Sequence, residues 1–269
     1  MLTAEQRAEF DRNGLLKIEG VFSAAEGARM QEAIWGELRQ RHGVLRDDPA
    51  TWNRHPPTGL KSSKRHRSFE PVFGPGLCGA LDDLFGAERW IQPKHAGQVL
   101  VTMPGATEWR VPHHLWHVDF QYTLPPERLV IVKCWALVDD LEPGGGATPQ
   151  IAGSHRLVAN FVAGRTGAEL DFRRTRMAFM QSNPWLKALA TADDDPDRNE
   201  RFMTETDVDG VPVRVVELTG AAGTVYITHP WVLHSLAPNT RTTPRLMRSF
   251  PIRQNGATTD ASLSRTEYG

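Results

Sequence analysis

Apolar and polar positions keep one rhythm up to about residue 90 and another beyond it. The first part is helical in spacing. Thr3-Ala4-Glu5-Gln6 has the form of a capping box, a Thr followed three residues later by Gln, and predicts a helix to about Asn13 that Gly14 stops. Residues 15–21 read as a strand. Ser23 caps a second helix over 24–41, with Ala28, Ile34, Trp35 and Leu38 on or near its apolar face. Residues 42–76 are rich in Pro, Arg and His and read as long loops, and 77–85 as a short helix. Beyond residue 90, short strand-like runs follow one another at 97–103, 116–122, 128–138, 147–151, 211–218, 224–228 and 245–251. Pro125-Pro126 and Glu142-Pro143-Gly144-Gly145-Gly146 punctuate them. Many short strands with such turns predict a mainly β sandwich or jelly roll buttressed by N-terminal helices.

Residues 159–210 interrupt the strands. Helices are expected at 175–180 and 185–191, beside the acidic run Asp193-Asp194-Asp195-Pro196-Asp197, which reads as a solvated turn. A segment this long is more than a connection, and its expected role is a lid or substrate segment. The domain expectation is therefore one unit over 1–269. It has a helical buttress and loops at 1–90, a core at 91–158 and 211–252, and the insertion at 159–210.

Composition narrows the function classes. With 269 residues, 40% hydrophobic and 23% charged, and a formal net charge of −1, the chain lacks a global field for nucleic acid or an anionic membrane. The basic run Lys61-Ser62-Ser63-Lys64-Arg65-His66-Arg67 reads as a solvated loop. Cys78 and Cys134 make neither a disulfide framework nor a zinc site, and a reducing cytoplasm is the expected setting. No apolar signal segment or membrane span is legible, and the oligomeric state is not readable from the sequence.

The chemistry concentrates in two strings, His117-Val118-Asp119-Phe120 and His234-Ser235-Leu236-Ala237-Pro238-Asn239, with Arg245 eleven residues after His234. Two imidazoles and one carboxylate on one side of a metal leave its opposite side open, the facial arrangement of non-haem Fe(II) oxygenases. On a strand, His-x-Asp puts both side chains on one face. The three ligands leave room for a chelating oxoacid and O2, and a guanidinium offers two parallel donors to a carboxylate. Taken singly, each residue has a duller reading: a hydrogen-bonded His–Asp pair, a packed histidine, a surface arginine. His113 and His114 read as pocket-rim residues, His229 as a core or supporting histidine, and His155 as a turn-ordering one.

These strings, in order, resemble the phytanoyl-CoA dioxygenase family of Fe(II)- and 2-oxoglutarate-dependent oxygenases. Residues 2–22 resemble its opening helix and strand, and HVDF its His-x-Asp block, with Trp135 sixteen residues past the Asp. GGGATPQIAGSHR resembles its Gly-rich turn, and His234, Asn239 and Arg245 its distal block. The resemblance implies a double-stranded β-helix with iron held by His117, Asp119 and His234, and 2-oxoglutarate paired with Arg245. It also implies a co-substrate wall at Trp135, with Gln98 and Thr102 as candidate polar contacts. Some members carry Ser or Thr two residues after the distal His; here the position is Leu236, and Ser235 and Thr228 are candidate replacements. Lys61, Lys64 and Lys94 are candidates for an upstream lysine that joins the co-substrate. Related halogenases have Gly or Ala at the carboxylate position, so Asp119 implies a hydroxylase. The expected partner is a small-molecule substrate whose identity the sequence does not give. Two competing readings keep the same residues: a binding protein without turnover, and a cupin-like metalloenzyme that does not use 2-oxoglutarate.

Overall fold

The computed structural model describes residues 1–52, 57, 59–95 and 97–256. Local chemistry sets the first elements. Helix α1 (Ala4–Asn13) starts at a capping box between Thr3 and Gln6 and ends at Gly14 in the left-handed region. A Cβ on Gly14 would lie 2.6 Å from both the His155 ring and the Val232 side chain, so this turn requires glycine for space as well as for φ. Strand β1 (Leu15–Ile18) follows, then α2 (Ala24–His42), boxed by Ser23 and Glu26. Met30, Ile34 and Leu38 form its fully buried stripe. The segment read as long loops holds three 3-10 turns, Pro49–Thr51, Ser63–Arg65 and Arg67–Phe73, before α3 (Pro75–Phe85). Buried Glu37 on α2 pins this segment by accepting the backbone N–H groups of Ser62 and Ser63, each at 2.7 Å.

The strands are β2 (Trp90–Ile91), β3 (Gln98–Thr102), β4 (Ile131–Leu137), β5 (Pro149–Ala152), β6 (Thr206–Val208), β7 (Val211–Glu217), β8 (Val225–Thr228) and β9 (Arg245–Gln254). They form two antiparallel sheets. The larger runs β1-β8-β4-β9-β2, with β3 also on β9; the smaller runs β5-β7-β6. The outer face of the larger sheet (Val132, Cys134, Val225, Ile227, Leu246, Phe250) packs on α2 and α3. Its inner face meets the smaller sheet through two clusters. Trp135, Leu137 and Met247 pack with Leu141, Ala147 and Leu218, and Leu15 packs with Ala152 and Val232. The far side of the smaller sheet (Ile151, Val213, Val215) is covered by α4 (Ser154–Val162), α5 (Phe172–Gln181), α6 (Pro184–Leu189) and α7 (Arg198–Met203).

One expected strand is absent. Residues 116–122 form no ladder; their one β pairing among the described residues is the bridge between His117 and His234, and Asp119 sits in a bend. The apolar alternation read there as a strand is Trp116, Val118 and Tyr122 packing into the helix-covered core, which irregular backbone satisfies equally well. No helix among the described residues is long and apolar enough to cross a membrane.

Candidate active site

His117, Asp119 and His234 come together although 117 residues separate the two histidines. Antiparallel partners place their side chains on one face, so the bridges from His234 to His117 and to Gln150 turn all three into the space between the sheets. One ligand atom from each triad residue lies within 4.8 Å of the others. Asp119 carboxylate oxygens stand 3.7 Å from His117 Nε2 and 3.3 Å from His234 Nε2.

Backbone carbonyls fix both rings. His117 Nδ1 meets the Leu115 carbonyl at 2.6 Å, and His234 Nδ1 meets that of Val232 at 3.4 Å. A carbonyl only accepts, so Nδ1 carries the proton and Nε2 turns its lone pair to the cluster, as a metal ligand requires. Leu115 reaches this position with φ 60°, a left-handed conformation costly for a residue with a Cβ and held here by the packing around it. Burial pushes His117 down to about 4, and His234 adds to the shift, so its imidazole is neutral at pH 7. Burial alone would raise the Asp119 carboxyl. His234 and Lys133 outweigh it and hold the group well below the usual carboxylate range. Two imidazoles that offer Nε2 and one carboxylate held ionised, pointing inward, fit a divalent first-row metal.

The larger sheet's inner face supplies the surroundings. Trp135 on β4 stands edge-on to His234, with ring centroids 5.1 Å apart, and donates its indole N–H to Thr228 Oγ1 at 3.1 Å. Arg245 opens β9 opposite Thr102 on β3. Its guanidinium is 5% exposed, donates to Thr102 Oγ1 through Nε (3.1 Å) and Nη2, and brings Nη1 to the Met247 sulfur at 3.8 Å. No carboxylate lies within ion-pair distance of it among the described residues, and burial pushes its pKa down to about 10. Gln98 lies on the same face of β3, level with Ser249, with its side chain exposed.

The distal block builds the frame. Asn239 donates to the Thr102 and Thr243 carbonyls at 3.1 and 2.8 Å, tying the loop after His234 to the end of β3. The Gly-rich turn closes against the same corner. A Cβ on Gly146, whose φ is 77°, would lie 3.0 Å from the Thr102 side chain and 3.1 Å from that of Asn239. Leu236 is 54% exposed, and Ser235 donates its hydroxyl to the His114 carbonyl at 2.7 Å. Of the hydroxyls weighed as replacements at Leu236, Ser235 and Thr228 are engaged elsewhere; the hydroxyl beside Arg245 is Thr102. Lys61 and Lys94 are exposed, and the Lys64 side chain lies outside the described residues. His155 and His229 pair away from the cluster at 4.9 Å, the first bonded to the Asp11 carbonyl at 3.2 Å.

Sequence reasoning missed two residues here. Lys133, two residues before Trp135 and on the same face, contacts the Asp119 carboxylate and lies 4.2 Å from the centre of the Trp135 ring. The signal was a lone charge inside the apolar run Ile131-Val132-Lys133-Cys134-Trp135. Gln150 is fully buried beside His234, and neither its Oε1 nor its Nε2 has a hydrogen-bond partner among the described residues. A carboxamide inside the strand after a Gly-rich turn was its trace in the sequence.

Comparison with known proteins now adds to the geometry. No curated protein sequence matches the chain. Among solved structures, the non-heme alpha ketoglutarate dependent carbocyclase SnoK from nogalamycin biosynthesis is similar over 94% of this chain and 84% of its own, at 19% identity and a TM-score of 0.52. The epimerase SnoN, in complex with Fe3+, alpha ketoglutarate and nogalamycin RO, is similar over 93% and 82%, at 17% identity and 0.53. HygX from Streptomyces hygroscopicus, solved with nickel and 2-oxoglutarate bound, is similar over 94% and 87%, at 16% identity and 0.53. At these identities the likeness is one of fold. The phytanoyl-CoA dioxygenase (PhyH) family model matches residues 10–247, and the chain belongs to that family.

Proposed function

We propose that the chain is an Fe(II)- and 2-oxoglutarate-dependent dioxygenase that hydroxylates a C–H bond of a small molecule. In this reading its two sheets form a double-stranded β-helix, and His117, Asp119 and His234 hold the iron. Arg245 carries the reading. Its buried guanidinium is met by a hydroxyl and a thioether, with no carboxylate in ion-pair range among the described residues. A buried cation is costly until an anion joins it, and the distal carboxylate of 2-oxoglutarate supplies one in bidentate form. When bound, iron and 2-oxoglutarate would activate O2 as the oxidant for C–H hydroxylation, one oxygen atom entering the substrate and the other succinate, with release of CO2.

The chain's own residues then have distinct tasks. His117 and His234 bind the metal through Nε2, and Asp119 through a carboxylate oxygen. Thr102 orients the Arg245 guanidinium, and Trp135 walls the co-substrate on the His234 side. Gln98 reaches the open end of the same face. Asp119 favours hydroxylation over halogenation, because its carboxylate fills the position a halide would need. Residues 159–210 cover the substrate. Supporting this, Arg110, His113, His114, Asp193, Leu236 and Pro238 line a cleft of about 540 Å³ between that segment and the loops flanking His117 and His234. The whole chain acts as one oxygenase domain, and its free cysteines suit a cytoplasmic setting.

Anaerobic titration of metal-free protein with Fe(II) and 2-oxoglutarate tests the reading. We expect a visible metal-to-ligand charge-transfer band that Arg245→Ala weakens. Folded, iron-loaded protein without a band would favour a cupin-like metalloenzyme or a binding protein instead.

A further inference from the structure

Lys133 is the one charged group of the site to which this reading gives no task. We propose that it binds an anionic oxygen on the substrate, so that the natural substrate is a small molecule carrying a carboxylate, phosphate or phenolate near the carbon that reacts. The inference rests on the oxygenase reading and names the substrate class for the same site.

Register separates Lys133 from the co-substrate's anchor. On β9, Arg245, Met247 and Ser249 face inward; on β4, Leu137, Trp135 and Lys133 do. Met247 pairs with Leu137, Ser249 with Trp135 and Pro251 with Lys133. Arg245 and Lys133 therefore stand six residues apart along β9, about 20 Å of strand. The Arg245 guanidinium stays level with its cross-strand partner Thr102, and the Lys133 ammonium stays at Trp135. The four C–C bonds of 2-oxoglutarate, about 1.5 Å each, span at most about 6 Å. A co-substrate with one end at Arg245 and the other at the metal comes near the Lys133 ammonium only at its metal end, beside Asp119, where the reacting carbon of a substrate must also stand.

Charge balance gives the substrate its sign. Fe(II), Asp119, Arg245 and dianionic 2-oxoglutarate together are formally neutral. Lys133, only 16% exposed, leaves one positive charge over in a water-poor site. Its present partners are the Asp119 carboxylate and the face of Trp135. A carboxylate whose lone pairs are given to a metal has less charge to offer an ammonium, so an incoming anion gains what Asp119 gives up.

The test compares benzoate with its neutral isostere benzamide, by calorimetry on protein loaded with Ni(II) and saturated with 2-oxoglutarate. We expect wild type to bind benzoate at least about tenfold more tightly than benzamide. Lys133→Met should lose that preference, and Lys133→Arg should keep it. The 2-oxoglutarate affinity of metal-loaded Lys133→Met, measured separately, should stay within about threefold of wild type, whatever the change in metal affinity that follows from losing the contact with Asp119. Equal binding of the two probes by wild type would overturn the proposal, as would a preference surviving in Lys133→Met. A large loss of 2-oxoglutarate affinity in Lys133→Met would also overturn it, assigning Lys133 to the co-substrate. A missing charge-transfer band with the benzoate preference intact would sink the oxygenase reading while leaving the anion site; the reverse pattern would do the opposite.

Discussion

Arg198 and Arg245 are both buried arginines, 2% and 5% exposed, yet their surroundings differ in kind. Arg198 opens α7 and meets the carbonyls of Val111 (2.7 Å), Leu189 (2.6 Å), Thr191 (3.2 Å) and Pro112 (3.3 Å), plus the Asp193 carboxylate at 2.5 Å. It staples the 159–210 segment to the loop that leads into His117, and the acidic run read as a solvated turn supplies its counter-ion. Arg245 has a hydroxyl and a sulfur. The contrast separates a cation that holds structure together from one whose partner arrives from solution: the first is satisfied by the chain, the second is not.

Several substitutions break or sharpen that contrast. Arg198→Ala should cost the most, about 3–5 kcal/mol, because four carbonyls lose their donor together and Asp193 keeps only Arg110 as a cation among the described residues. Urea unfolding would read it, and a loss under 1 kcal/mol would show the staple to be dispensable. Arg245→Leu should leave stability within about 1 kcal/mol of wild type, since it removes a buried charge without orphaning a carboxylate. The same variant should lower 2-oxoglutarate affinity on the order of 100-fold, read by equilibrium binding. Arginines that responded alike in both assays would erase the distinction.

Acid should act through a third buried group. Burial pushes His155 down to about 4 and His229 to about 3, below the ordinary histidine value near 6.5. The unfolded chain therefore takes up protons first as pH falls. The stability these neutral rings permit is fully present above about pH 6.5 and is lost progressively toward pH 4 and then 3. Urea midpoints measured across that range should fall in wild type and flatten in His155→Gln. The smallest effect belongs to Gln150→Leu, which removes two buried polar atoms lacking partners among the described residues. Metal-free protein should gain about 1 kcal/mol, while the Fe(II)–2-oxoglutarate complex weakens. A Gln150→Leu complex as tight as wild type would make the carboxamide a bystander.

What the sequence made legible follows how local each determinant is. Thr3 with Gln6, Gly14, and Ser23 define helix ends through contacts a few residues apart and were readable; the part Glu26 plays in the second box was not. Alternation marked β3, β4, β7, β8 and β9, with ends displaced by a few residues. The stretch around His117 misled because alternation reports which side chains are buried, not whether the backbone has a ladder. Trp116 and Val118 are buried against helices that come dozens of residues later. Lys133, Gln150 and the Arg198 staple owe their roles to partners distant in sequence, so periodicity carried only their oddness. The helices at 154–162 and 198–203 were missed; neither has a side-chain cap at its start, whereas the short helix at 184–189 is announced by Asn183 and Pro184.

The bridge between His117 and His234 also bears on how the molecule folds. It closes a loop of more than a hundred residues, and such closure is entropically expensive and slow before other contacts help. The two imidazoles should meet only after both sheets and the intervening helices have found their places. Metal capture should therefore be a late event in refolding, lagging behind the burial of Met30, Ile34 and Leu38 on α2. A bound ion would then act as a clasp on this loop, slowing its opening more than it hastens its formation.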